Sequence, residues 1–202
     1  VIAQIYDRIM TYEAEDTEKL VPGVAESYSV SDDGKTITLK IRPGQTFHSG
    51  NPLTAEDVAF SLQRVIKLDK TPAFILSQLG WNKDNVDGLV KATDELTVQL
   101  SIPEDFAPTL VLNCLSAGVA SVVDKKLVLE HEVNGDLAYE WMKSNSAGSG
   151  AFVLKSWKAN ETVVLEANPN DRHGAPSIKR VVIRHVPEAA AQRLMLEKGD
   201  ID

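Results

Sequence analysis

Apolar and polar residues alternate most clearly in residues 35–42, where Ile37, Leu39 and Ile41 are separated by Thr36, Thr38 and Lys40. A period of two predicts a strand with one face on a core and the other in water. Residues 24–31 form a second strand-like run, and Asp32-Asp33-Gly34 between the two supplies a tight turn, with glycine free to take the positive φ that such turns need. The pair reads as a hairpin. After a turn-rich loop at residues 44–52 the period changes to that of a helix over 54–68. Thr54 is its N-cap, Asp57 the capping-box partner, and Leu53 is placed to staple onto Val58. Val58, Leu62, Val65 and Ile66 share one face, which is expected to lie on the hairpin.

Further along, a short helix is expected over 73–79, and a second hairpin over 87–92 and 96–102 across Thr93-Asp94-Glu95. A helix is expected over 106–113. Two more are expected within 119–143, separated by Gly135, with Asp136 as the N-cap of the second. The last fifty residues read as a hairpin over 151–157 and 162–167, a strand over 178–186, and a helix over 188–198 stopped by Gly199. Strands and helices come in blocks without a regular βαβ rhythm, so the fold class is α+β, or mixed α/β. Residues 1–10 open inside an apolar pattern, with Ile2, Ile5, Ile9 and Met10 at helical spacing, and the chain stops where a helix has just ended. The expectation is a piece of a larger protein.

The 202 residues suffice for one or two compact units, and 43% hydrophobic with 25% charged residues is an ordinary globular balance. An excess of 29 acidic over 21 basic side chains, net −8, repels phosphate backbones and anionic membrane surfaces, so no nucleic-acid partner is expected. The apolar run at residues 109–115 is far shorter than a membrane helix requires. Cys114 is the one cysteine, which excludes an internal disulfide and a cysteine metal cluster; between Leu112 and Leu115 it reads as a small buried residue.

Residues that carry chemistry are scattered. His48, His131, His173 and His185 lie far apart, and His131-Glu132 is followed by Val133-Asn134-Gly135, so the HExxH zinc pattern is absent. Gly148-Ser149-Gly150 has neither the Lys-Ser/Thr of a phosphate loop nor the spacing of a nucleophile elbow, and reads as a tight backbone crossing. The acidic pairs Asp32-Asp33, Glu56-Asp57 and Glu104-Asp105 fall at turns or helix starts, where carboxylates accept backbone N–H groups. No catalytic residue, metal site or cofactor is expected.

The block from Val24 to Arg64 resembles the signature region of the family 5 solute-binding proteins of ABC importers, the peptide, nickel and opine binders. Its pieces come in the family's order: Ala25-Glu26-Ser27, Asp32-Asp33-Gly34-Lys35, Arg42-Pro43-Gly44, Phe47-His48-Ser49-Gly50, and the run from Pro52 to Val58. A second block resembles the family's return into its first lobe: Gly150-Ala151-Phe152, Trp157, Leu165, Asn168-Pro169, Gly174, Pro176, and Lys198-Gly199-Asp200-Ile201-Asp202. It departs from the family where a Gly-Thr-Gly-Pro-Tyr-like run is replaced by residues 148–152, and an aromatic pair by Asp171-Arg172-His173.

The resemblance implies a periplasmic binding protein-like fold of class II, with a partial first lobe, formed by residues 113–202 with 1–9, and an extra domain at 10–112. On this resemblance the second lobe and the start of the first are expected to lie outside these 202 residues. It further implies an extracytoplasmic binder, periplasmic or lipid-anchored, that captures a short peptide for the permease subunits of an ABC transporter, meets the membrane only there or through its anchor, and catalyses nothing. A nickel chelate, opine or oligosaccharide is the alternative solute, and a receptor or docking module without a transport role the alternative function. On position alone, ligand contacts are expected from Trp81 and from Ser116, Ala117, Gly118, Val119 and Ala120.

Overall fold

The computed structural model describes residues 1–13 and 15–202, and shows a mixed α/β protein with three antiparallel sheets among the described residues. One helical turn, α1 (Ile2–Ile5), is followed by extended chain into β1 (Met10–Glu13), which pairs with β2 (Asp16–Pro22). Helical spacing at the start therefore holds for a single turn. Met10 is buried from β1 and Ile9 from the bend before it, while Ile2 remains 58% exposed.

The first hairpin, β3 (Ala25–Val30) and β4 (Thr36–Ile41), forms as its pattern predicts. Gly34 takes φ 71°, and Asp33 Oδ1 accepts from Ser31 Oγ at 2.6 Å and from the Lys35 N–H at 3.0 Å. Ile37, Leu39 and Ile41 point into the core. The helix α2 (Ala55–Leu68) starts on the expected box, in which the Thr54 N–H donates to Asp57 Oδ2 at 2.9 Å. Leu53 and Val58 are both buried at this end.

After the turns α3 (Phe74–Ser77) and α4 (Val86–Leu89) come β5 (Val90–Asp94) and β6 (Thr97–Ser101). The expected strand at 87 starts later because residues 86–89 coil into α4. Sheet order is β3-β4-β6-β5, so the second hairpin docks against β4 through β6. That arrangement puts α2 mainly over β5 and β6, not over the first hairpin; Gln63 Nε2, for instance, donates to the Val90 carbonyl at 2.8 Å.

Beyond α5 (Pro108–Cys114), a 3₁₀ turn at Gly118–Ala120 leads to α6 (Lys125–Glu130). The second helix expected before residue 143 is reduced to a 3₁₀ turn at Trp141–Lys143. Asp136 does not cap a helix here. Its carboxylate accepts the N–H groups of Val133, Ala138 and Glu140, while Leu137 and Ala138 take positive φ of 47° and 56°. The chain closes with a sheet of β7 (Phe152–Lys158), β8 (Thr162–Ala167) and β9 (Arg180–Arg184), then α7 (Ala189–Lys198), which ends at Gly199 and buries none of its residues.

The main core gathers side chains from Ile9 to Val122 between the four-stranded sheet, α2 and α5. Two smaller cores flank it, one around Phe60, Val123, Val128, Ala138 and Ala147, the other around Ile5, Phe152 and Leu165. Buried carboxylates tie these parts together. Asp57 Oδ1 accepts the Lys125 N–H at 3.0 Å, and Asp124 accepts from Ser49 Oγ at 2.6 Å, Asn51 Nδ2 at 2.9 Å and the Leu127 N–H at 3.0 Å. Gly148-Ser149-Gly150 crosses the backbone of residues 4–6, and the Gly150 N–H donates to Ile5 O at 2.9 Å. A crossing this close leaves no room for a side chain at either glycine.

Candidate ligand-binding cavity

The C-terminal half of α2 carries Ser61, Arg64, Val65 and Leu68 at i, i+3, i+4 and i+7, hence on one helical face. That face forms a wall of a cavity of about 350 Å³, within the range of small-ligand sites. Lys70, Thr71 and Pro72 extend the wall beyond the helix end. Gly118, Val119 and Ser121 border it, Tyr139, Met142 and Lys143 close one side, and Ile2, Leu154 and Trp157 present apolar surface on another. Five segments of the chain thus meet at one hollow.

Its charges are positioned by specific contacts. Arg64 Nε donates to the Leu137 carbonyl at 2.9 Å, made available by the left-handed backbone at Leu137. Burial draws the Arg64 pKa down, while the nearby Tyr6 and Asp136 act in the opposite sense. The Tyr139 ring has Lys70 Nζ 5.5 Å and Lys143 Nζ 5.1 Å from its centroid, cation–π distances. Lys143 is also paired with Glu140 at 2.6 Å, a hydrogen bond that raises its pKa. Burial pushes the Tyr6 phenol up, partly offset by the Ala147 N–H that its oxygen accepts at 3.3 Å and by Arg64.

Of the residues expected at the site, Gly118 and Val119 border this cavity. Trp81 does not: it is 1% exposed in the main core, and its Nε1–H donates to the Ser101 carbonyl at 2.9 Å. Its ring packs on all sides and is a core residue. Ser116 is buried as well, its Oγ donating to Asn113 O at 2.8 Å and its carbonyl accepting from Arg8 at 2.8 Å. Ala120 is buried, and its N–H donates to Ala117 O in the 3₁₀ turn, so neither alanine is on the cavity wall. Arg64, Lys70, Tyr139 and Trp157 escape a sequence reading. The one signal is that Arg64 and Lys70 stand six residues apart across a helix end in an acidic chain.

Among the described residues no three His, Cys, Asp or Glu side chains gather to hold a metal ion, and no helix is long and apolar enough to cross a membrane. Ser149 Oγ donates to Asp7 Oδ2 at 2.9 Å, and His48 Nε2 to the Gly150 carbonyl at 2.8 Å. Both side chains are structural ties.

Comparison with known proteins places this geometry in a family. The sequence model of the bacterial extracellular solute-binding proteins, family 5 middle region, matches residues 19–202. The chain is 33% identical over 200 residues to the probable D,D-dipeptide-binding periplasmic protein DdpA of Escherichia coli, covering 98% of this chain and 36% of that protein. It is 26% identical over 200 residues to the nickel-binding periplasmic protein of the same organism, with 99% and 35% covered. It therefore spans about a third of the length of these curated relatives. Among solved structures, Haemophilus influenzae OppA in complex with RPPGFSPFR superposes with a TM-score of 0.78 at 26% identity, over 98% of this chain and 39% of that one. MoaA of Agrobacterium tumefaciens R10 in complex with mannopinic acid, at 23% identity, shares the fold with a TM-score of 0.81 over 100% and 38%. The chain belongs to the family 5 bacterial extracellular solute-binding proteins, and its mixed α/β architecture is part of the periplasmic binding protein fold.

Proposed function

We propose that this chain is part of an extracytoplasmic solute-binding protein that captures a short peptide and hands it unchanged to the permease subunits of an ABC importer. The cavity beside α2 is one wall of its binding site. The observation that carries this reading is the 33% identity, over nearly the whole chain, to a probable D,D-dipeptide-binding periplasmic protein. The cavity supports it, being small, largely apolar and edged with a few fixed polar groups, as small-molecule sites are. In the same reading residues 10–112 form an extra domain, residues 113–202 with 1–9 belong to the first lobe, and a second lobe closes over the solute by a hinge. The third core, of Ile5, Phe152 and Leu165, belongs to the first-lobe unit in this division, while the main core draws on both units, from Ile9 to Val122. The protein acts in the periplasm or from a lipid anchor.

The test is native mass spectrometry of the full-length protein purified from its own host, followed by denaturing release of whatever it carries. A set of short peptides is expected. Nickel or haem, named for relatives at 26% identity, or an opine or oligosaccharide keeps the binding-protein reading and replaces the solute. An empty protein that no peptide stabilises against heat overturns the proposal.

A further inference from the structure

A second hollow, of about 250 Å³, lies where the loop after β4 meets the segment after β8, and no residue lines both it and the cavity beside α2. Its ionisable lining residues are Arg42, Arg172 and Asp7, so positive charge is in excess around this space in a chain of net −8. Asp7 is already engaged: its Oδ2 accepts from Ser149 Oγ at 2.9 Å, and its Oδ1 lies 3.6 Å from a terminal nitrogen of Arg172. The two guanidinia have donors to spare. Arg172 donates one terminal N–H to the Gly23 carbonyl, while its Nε is buried with no hydrogen-bond partner among the described residues. Arg42 has the Glu26 carboxylate at 4.0 Å as its one ion-pair contact among the described residues. An arginine carries five N–H donors, and a buried donor without an acceptor is unfavourable, so an acceptor from outside would be received well here. Both side chains come from held positions. Gln45 Nε2 fixes the loop of Arg42 by donating to the Val24 and Arg42 carbonyls at 3.0 Å each, and the Arg172 side chain is only 17% exposed.

We propose that this hollow binds a small divalent oxyanion, sulfate or phosphate, between the guanidinia of Arg42 and Arg172. Their forked donors match the paired oxygens of such an ion, whereas a cation would meet two like charges. The bound ion fastens the loop after β4 to the segment after β8 and so stabilises the folded chain. The site is separate from the solute cavity, and its occupant is not the solute.

The experiment is equilibrium dialysis of the full-length protein against radiolabelled sulfate or phosphate, in chloride buffer at fixed ionic strength, with unlabelled glycerol 3-phosphate as a competitor that carries the same group as an ester. Saturable binding of at least one ion with a Kd below about 1 mM is expected, and the ester should compete less well than unlabelled phosphate. Arg42→Gln, at a half-exposed position, and Arg172→Lys, which keeps the charge but loses the fork, should each weaken binding by about tenfold. Arg42→Gln alone decides the matter where Arg172→Lys does not fold. Absence of saturable binding of both ions overturns the inference, as does an affinity unchanged in Arg42→Gln. Stronger competition by the ester than by phosphate overturns the assignment to a free ion.

Discussion

The carbonyl oxygen of Ile5 occupies the space in which a side chain at Gly148 would begin, since a β-carbon there would lie 2.1 Å away. The obstacle is backbone, which cannot swing aside like a flexible side chain. Gly148→Ala should therefore lower stability by about 1–3 kcal/mol, seen as a drop in the urea midpoint. Gly88→Ala, in α4 with nothing near its added methyl, should cost nothing or stabilise slightly. Equal midpoints for both variants would refute the steric argument.

Asp57 does two jobs with one carboxylate, starting α2 through Thr54 and holding the Lys125 N–H that begins α6. Both bonds are largely shielded from water, so Asp57→Ala should cost about 1–3 kcal/mol. Its neighbour Glu56 pairs with Lys125 at the surface, where Glu56→Ala should cost at most about 1 kcal/mol. Denaturation of the two variants side by side measures the contrast.

At His48 burial lowers the pKa below the ordinary 6.5, outweighing the Gly150 carbonyl and the charges of Asp7 and Asp171, which act to raise it. A carbonyl only accepts, so Nε2 carries the proton and buried Nδ1 has no partner among the described residues. The folded form thus favours the neutral ring, while the unfolded chain takes a proton more readily. Its contribution is complete above pH 6.5 and is lost as pH falls from there toward the lowered folded value. Stability of His48→Gln should fall less steeply than that of the parent over this range. Parallel profiles would remove His48 from the account.

Cys114 is buried, and burial raises its thiol pKa. Both effects suppress the thiolate that reacts with disulfide reagents. In this chain labelling by a chromogenic disulfide should be slower than for a free thiol by about a hundredfold or more, and should accelerate with urea as the core opens. Rapid labelling in buffer would show that the main core opens at α5.

Features written within a few neighbouring residues are legible in the sequence. The Asp32-Asp33-Gly34 turn and the Thr54 to Asp57 box depend on bonds spanning two to three positions, and both form as read. Misreadings arise where distant parts decide. The apolar face of α2 announces a partner but not which strands supply it, and β6, inserted beside β4, moves that partner to the second hairpin. Asp136 has the side chain of a helix cap, yet its carboxylate holds a left-handed turn that frees the Leu137 carbonyl for Arg64. The cavity is the least legible feature because its walls come from residues as far apart as Ile2 and Trp157. An aromatic such as Trp81 suits a core or a ligand face equally until its burial is known.

The contrast between two tryptophans gives the molecule an optical gauge. Trp81, enclosed and with its N–H bonded to Ser101, should emit at short wavelength and stay constant, whereas Trp157, 42% exposed on the cavity wall, sits where a solute would displace water. Filling the cavity should blue-shift the component from Trp157, and in a Trp141→Phe background, which removes the third tryptophan stacked on His131, that shift reads occupancy against the constant emission of Trp81.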